Sequence, residues 1–154
     1  EEAQAVVEAS NFAPIGSRGS YTSRQGIGVD DPFTSANDET MAIILIEDIV
    51  AINNLEEILK VDHIDVFFVA PGDLAQTMGF LGQHEHPEVQ ATVDQAIEQI
   101  VSAGRVAGAL VSEATVGHYI ERGARFISTS YTTWFTSGAA AYLNTLSSAV
   151  SQTE

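Results

Sequence analysis

Four short apolar runs rich in Val, Ile and Phe punctuate the chain: Met41 to Ile46, Asp65 to Ala70, Arg105 to Val111 and Arg125 to Ser130. Their near-continuous apolarity, without strict alternation, predicts strands covered on both faces, as in parallel sheets. Helical spacing fills the intervals. Val50 to Leu59 carries Ile52, Leu55, Ile58 and Leu59 three and four residues apart, one apolar stripe of a helix. Glu88 to Ala103 repeats the stripe with Val89, Val93, Ile97, Ile100 and Val101, with Pro87 at a first helical position and Gly104 as the stop. Ser112 with Thr115 to Ile120 predicts a shorter helix that stops near Gly123, and Ser137 to Val150 a last one with Ala141, Leu143, Leu146 and Val150. Glu1 to Ser10 reads as the tail of a helix that begins upstream.

Strand and helix therefore alternate four times, which implies a parallel sheet with right-handed crossovers. A doubly wound sheet would bind its ligand where strand order reverses; a (β/α)8 barrel needs eight strands and about 250 residues. With four strands in 154 residues, the arithmetic points to half a barrel, an α/β fold expected to continue upstream. No internal repeat or low-complexity tract divides the chain, so residues 1–154 are expected to form one partial barrel domain. Residues 11–40, with Gly16, Gly19, Gly26, Gly28, Pro14 and Pro32, read as one long loop, either a lid or a mobile surface connection.

Composition narrows the function classes. The hydrophobic fraction of 45% predicts a packed core rather than a disordered chain. Twenty-one acidic against six basic residues give a net charge of −15, with Lys60 the single lysine, so nucleic-acid binding is not expected. The absence of Cys excludes disulfides, thiolate zinc, iron–sulfur clusters and a cysteine nucleophile from this chain, while hard oxygen-ligand chemistry stays open. No apolar run approaches the roughly 20 residues that span a bilayer, and no leader-like segment opens the chain, so a cytoplasmic protein without membrane contact is expected.

Ligands of parallel α/β folds sit at the C-terminal ends of strands, and two acids stand there. Glu47 follows the first apolar run, and Asp73 follows the second through the turn Pro71-Gly72. If the two strands are neighbours, both carboxylates reach one rim, as a hard divalent cation requires. The structural alternatives are a solvated Glu47 and an Asp73 that caps the following helical turn. Gly72 and Asp73 begin that turn, whose free N–H groups suit a carboxylate; an ordinary Pro-Gly turn is the alternative. His84 and His86 share a loop with nothing to complete a metal site, and His63 and His118 are expected to be structural or solvated. Trp134 and Phe135 are expected to pack the final helix, with a pocket mouth as the other role. No dinucleotide, Walker or nucleophile-elbow motif occurs in the sequence.

The strings Leu45-Ile46-Glu47-Asp48, Asn54-Leu55-Glu56-Glu57-Ile58-Leu59, Val61-Asp62-His63-Ile64-Asp65-Val66-Phe67-Phe68-Val69-Ala70-Pro71-Gly72-Asp73-Leu74 and His86-Pro87-Glu88-Val89-Gln90 together resemble the HpcH/HpaI aldolase family. The Gly16-Ser17-Arg18-Gly19 loop and Gly123-Ala124-Arg125-Phe126-Ile127 fit as well, so the resemblance covers nearly the whole chain. It implies a class II pyruvate-type aldolase of the phosphoenolpyruvate/pyruvate superfamily, usually oligomeric, on a (β/α)8 TIM barrel of which this chain is about strands five to eight. It implies Glu47 and Asp73 as ligands of Mg2+, Mn2+ or Co2+, backbone N–H groups of Gly72 and Asp73 on the substrate carboxylate, and Leu110 at the pocket border. The implied chemistry makes or breaks a carbon–carbon bond of a 2-keto acid through a pyruvate enolate, with an aldehyde as the second partner and the metal as electron sink.

Two departures qualify the resemblance. Leu45 stands where the family commonly has Gln, which removes one polar contact. The family's general-base His and substrate Arg belong to the first strands of the barrel, so no catalytic residue is expected within this chain and both are expected upstream of Glu1. The competing expectations are a non-catalytic half barrel that serves assembly, and a decarboxylase or synthase relative that uses the same site.

Overall fold

The computed structural model describes residues 1–21 and 26–151. Helices α1 (Glu2–Ser10) and α2 (Pro32–Glu39) lead into strand β1 (Ile43–Ile46). There follow α3 (Ile49–Asn53), α4 (Leu55–Ile58), β2 (Val66–Val69), α5 (Pro71–Thr77), α6 (Pro87–Ser102), β3 (Ala107–Leu110), α7 (Val116–Glu121), β4 (Phe126–Ser128) and α8 (Tyr131–Ser151). All four strands are parallel and lie in the order β1-β2-β3-β4. The order never reverses, so the crevice of a doubly wound sheet has no place among the described residues.

Register sorts the strand residues onto two faces. Ile44, Phe67 and Ala107 form one row across the sheet, and Ile46, Val69 and Ala109 the next. Both rows belong to the main core with Val89, Val93, Ala96, Ile97 and Ile100 of α6, Leu55 of α4, Leu59 just after it and Leu74 of α5. The α6 stripe recurs every three or four residues, which turns one side of the helix onto the sheet.

The opposite face is uncovered, leaving Ile43 39%, Leu45 54% and Leu110 46% exposed. Only its centre is filled: the Phe68 ring meets Phe126 edge-on, with centroids 6.1 Å apart, and lies over Gly108. A Cβ at Gly108 would sit 2.7 Å from Phe68 Cδ2 and 3.0 Å from Val66 Cγ1. Gly108→Ala is therefore expected to cost about 1–3 kcal/mol through overpacking. Gly117→Ala, in α7 with nothing within 4 Å of the new Cβ, is expected to gain up to about 1 kcal/mol of helix propensity. Paired urea melts read both.

Arg105 holds the lower edge of the sheet. Its guanidinium donates to the carbonyls of Leu59 at 3.0 Å, Val61 at 2.9 Å and Ile64 at 3.0 Å. It also lies 4.9 Å from the centroid of Phe67, so one side chain ties the end of the α4 segment to the start of β3.

The elements depart from expectation in three places. Part of the 11–40 segment is helical: α2 starts with Pro32 at its first position and docks through Asn37, which accepts from the Phe12 N–H at 2.7 Å and donates to the Phe12 carbonyl at 3.1 Å. Of that segment, residues 22–25 lie outside the described residues, as do 152–154 of the chain. The single helix expected over Val50 to Leu59 breaks at Asn54, which leaves helical geometry at φ −103°, ψ 10°. The last helix begins at Tyr131 rather than Ser137 and buries none of its residues, so Trp134 and Phe135, at 56% and 73% exposure, do not pack it against the sheet.

Candidate functional site at the strand ends

β1 and β2 pair from Ile43↔Val66 to Ile46↔Val69, and the Ala70 N–H still donates to the Ile46 carbonyl at 3.1 Å. Glu47 leaves β1 where this ladder ends, and Asp73 stands three residues beyond Ala70 in the first turn of α5. Neighbouring strands lie about 4.8 Å apart, so the two acids rise from one rim. A cross-tie holds this corner together, since the Ile49 N–H donates to Thr77 Oγ1 at 3.1 Å.

The three acids near this rim have different occupations. Asp48 caps α3, its Oδ1 accepting the Ala51 N–H at 2.7 Å. Glu47 and Asp73 have no hydrogen-bond or ion-pair partner among the described residues. Asp73 does not cap α5: that helix starts after Ala70 with no side-chain cap bond. Gly72 and Asp73 supply first-turn N–H groups that lack an intrahelical acceptor.

Leu110 ends β3 beside a cavity of 500 Å³ that runs outward from the rim between Pro71, Ser130 and Trp134. Its outer wall is built by side chains that sequence reasoning did not single out. Tyr119 of α7 donates its hydroxyl to Gln90 Oε1 at 3.0 Å, and Gln90 Nε2 donates to the His84 carbonyl at 2.7 Å. Ser112 and Thr115 face each other with hydroxyl oxygens 3.2 Å apart. The signal that would have found Ser112, Glu113 and Ser130 is the one that found Glu47, since they too follow strand ends.

Burial pushes the Tyr119 phenol above its ordinary value of 10, the Asp94 charge adds to the rise, and Arg122 opposes it. The neutral phenol is the form that folding favours. Its contribution is complete below the unfolded value near 10 and is lost as pH rises through the higher folded value. A 295-nm titration is expected to show a late phenolate phase that Tyr119→Phe removes.

The histidines take structural positions. His86 caps α6, its Nδ1 accepting the Glu88 N–H at 3.3 Å, and stacks on Phe80 with centroids 3.9 Å apart. His118 Nε2 lies 2.8 Å from Asp94 Oδ1, and Arg122 Nη2 is 3.2 Å from Asp94 Oδ2. His63 is exposed in the loop before β2, with φ +60°. Among the described residues no three His, Cys, Asp or Glu converge as a metal cluster, and no helix is long and apolar enough to cross a membrane.

A parallel sheet in sequential order, with two acids on its C-terminal rim, defines an α/β protein of the kind whose ligand sites lie at strand ends. A profile of the family described as HpcH/HpaI aldolase/citrate lyase matches residues 1–137, and the chain belongs to that family. It is 36% identical over 145 residues to 4-hydroxy-2-oxo-heptane-1,7-dioate aldolase of Shigella sonnei, covering 91% of this chain and 55% of that one. The enzyme of the same name from Salmonella paratyphi B is 39% identical over 132 residues, 82% of this chain and 50% of that one. The chain thus spans about half the length of the curated relatives it matches.

Among solved structures, an HpcH/HpaI aldolase/citrate lyase family protein from Burkholderia cenocepacia superposes with a TM-score of 0.83 at 25% identity, over 94% of this chain and 60% of that one. Macrophomate synthase shares the fold at 21% identity, with a TM-score of 0.76 over 99% of this chain and 56% of that one.

Proposed function

We propose that these residues form the ion-binding and keto-acid-binding part of a divalent-metal-dependent carbon–carbon lyase that cleaves or forms a 2-keto acid from pyruvate and an aldehyde. The observation that carries the reading is the pair Glu47 and Asp73, two carboxylates without a hydrogen-bond or ion-pair partner among the described residues, on adjacent strand ends. Their neighbour Asp48 is occupied as a cap. The donor set fits a hard ion such as Mg2+, Mn2+ or Co2+, because it offers carboxylate oxygen and no sulfur. When bound, such an ion supplies stabilisation of negative charge developing on a keto oxygen.

The remaining roles belong to the chain itself. The N–H groups of Gly72 and Asp73 bind and orient the substrate carboxylate at the first turn of α5, and Leu110 borders the keto acid on the cavity side. Leu45, one row below Glu47 on the open face, offers no hydrogen bond, so orientation rests on the α5 turn. We read the sheet as strands five to eight of a (β/α)8 barrel, with the other strands lying over the uncovered Ile43, Leu45 and Leu110 face. A proton-transferring His and a substrate Arg are then sought in those other strands. The exposed α8 supports an oligomeric assembly.

The test is the methyl signal of pyruvate in D2O followed by proton NMR with the native protein. Added Mg2+ or Mn2+ is expected to drive exchange of the C3 protons, and chelation to stop it. Exchange that is absent with every divalent ion contradicts the reading.

A further inference from the structure

We infer that the cavity beside the Glu47 and Asp73 rim is an acceptor subsite that selects neutral, hydroxyl-bearing aldehydes over aldehydes that carry a carboxylate. This rests on the lyase reading above and specifies its second substrate. The cavity starts at Pro71 and Leu110, the first next to Gly72 and the second at the end of β3. Pro71 is the first residue of α5, so a molecule placed there borders the N-terminal end of that helix. At 500 Å³ it falls within the size range of small-molecule sites.

The lining chemistry points one way. Ser112, Thr115, Tyr119 and Ser130 present hydroxyls; Tyr119 donates to Gln90, Ser112 pairs with Thr115 and Ser130 with Thr132, and the oxygens keep lone pairs for a hydroxyl that donates, which a carboxylate cannot do. The wall that carries them is fixed by the Tyr119 to Gln90 to His84 chain of hydrogen bonds. Among the described residues charge has one sign there: Glu85 and Glu113 line the cavity, and no described Lys or Arg does. Two carboxylates about 6 Å from a third disfavour it by roughly tenfold in a water-like dielectric, whereas a neutral hydroxyl gains partners. The three acidic or imidazole groups of the lining do not form a metal cluster. The selectivity departs from the matched relatives, whose named compound is a dioate.

Trp134 is the only tryptophan in these residues and stands in the cavity wall, so it reports occupancy without turnover. The native protein is titrated with glyceraldehyde and with succinate semialdehyde at low ionic strength, where charge is least screened. Both titrations are run at pH 8. The Trp134→Phe protein provides the background fluorescence.

Half-saturation by glyceraldehyde is expected at a concentration at least tenfold lower than by the semialdehyde, and a Glu85→Gln, Glu113→Gln double variant is expected to narrow the ratio to threefold or less. Equal affinities, tighter binding of the semialdehyde, an unchanged ratio in the double variant, or a Trp134 signal that responds to neither aldehyde overturns the inference. Pyruvate C3 exchange on the same sample separates the two readings. Exchange with a silent Trp134 overturns the subsite alone, and selective binding without exchange overturns the lyase reading and the acceptor role with it.

Discussion

Asp73→Asn and Glu47→Gln are each expected to slow metal-dependent pyruvate C3 exchange by about three orders of magnitude. The estimate follows from the several kcal/mol that a correctly held divalent ion contributes to charge stabilisation, at 1.36 kcal/mol per factor of ten. Both substitutions keep side-chain volume and remove only the charge. Neither carboxylate makes a hydrogen bond or ion pair among the described residues, and Asp73 is exposed, so circular dichroism and the urea midpoint are expected to stay at wild-type values. Asp48→Ala is the matched control. It removes the cap on α3 and is expected to cost about 1 kcal/mol of stability while exchange stays within a few-fold. A result in which Asp48 governs exchange and its two neighbours do not would relocate the site.

Phe67→Ala is expected to produce the largest loss of stability, about 3–5 kcal/mol. The ring is fully buried in the centre of the sheet, between Ile44 on β1 and Ala107 on β3. It also carries the Arg105 guanidinium over its face at 4.9 Å. Truncation thus leaves a cavity and frees the side chain that satisfies three loop carbonyls. Against a typical total of about 5–15 kcal/mol, this is enough to unfold a marginal domain. Urea denaturation reads it as a lowered midpoint with an unchanged slope. A loss below about 1 kcal/mol would mean that the sheet does not pack as described.

Several of these features were readable from residue pattern alone. The four apolar runs enclose β1 to β4, and the helix expected over Glu88 to Ala103 lies one residue from α6 at either end, because a long stripe and two terminal signals agree there. α2 was not readable, since Pro32–Glu39 holds only Phe33 and Ala36 as apolar positions and is held by the side chain of Asn37 on a distant backbone. The break at Asn54 was hidden by an apolar stripe that continues across it. The long α8 contradicts its own composition, whose apolar residues predict a covered face; among the described residues none of the helix is buried.

The candidate site divides in the same way. Glu47 and Asp73 are legible because Glu47 directly follows one apolar run and Asp73 follows the next through the Pro71-Gly72 turn, and adjacency of β1 and β2 is the only further condition. The contrast between a capping Asp48 and two neighbours without a partner among the described residues is a matter of geometry that no spacing reveals. The cavity is further still from the sequence, because its wall joins residues 84, 90, 112, 119 and 134 from five segments. Its hydroxyls become a set only when α7 and the segment before it meet the start of α8.

On the proposed reading Glu47 and Asp73 together hold one divalent ion. The most direct measurement is the binding of Mn2+ followed by electron paramagnetic resonance, in the native protein and in the Glu47→Gln, Asp73→Asn double variant. One ion bound per chain in the native protein and none in the folded double variant is the predicted result. The same stoichiometry and affinity in both proteins would contradict the account.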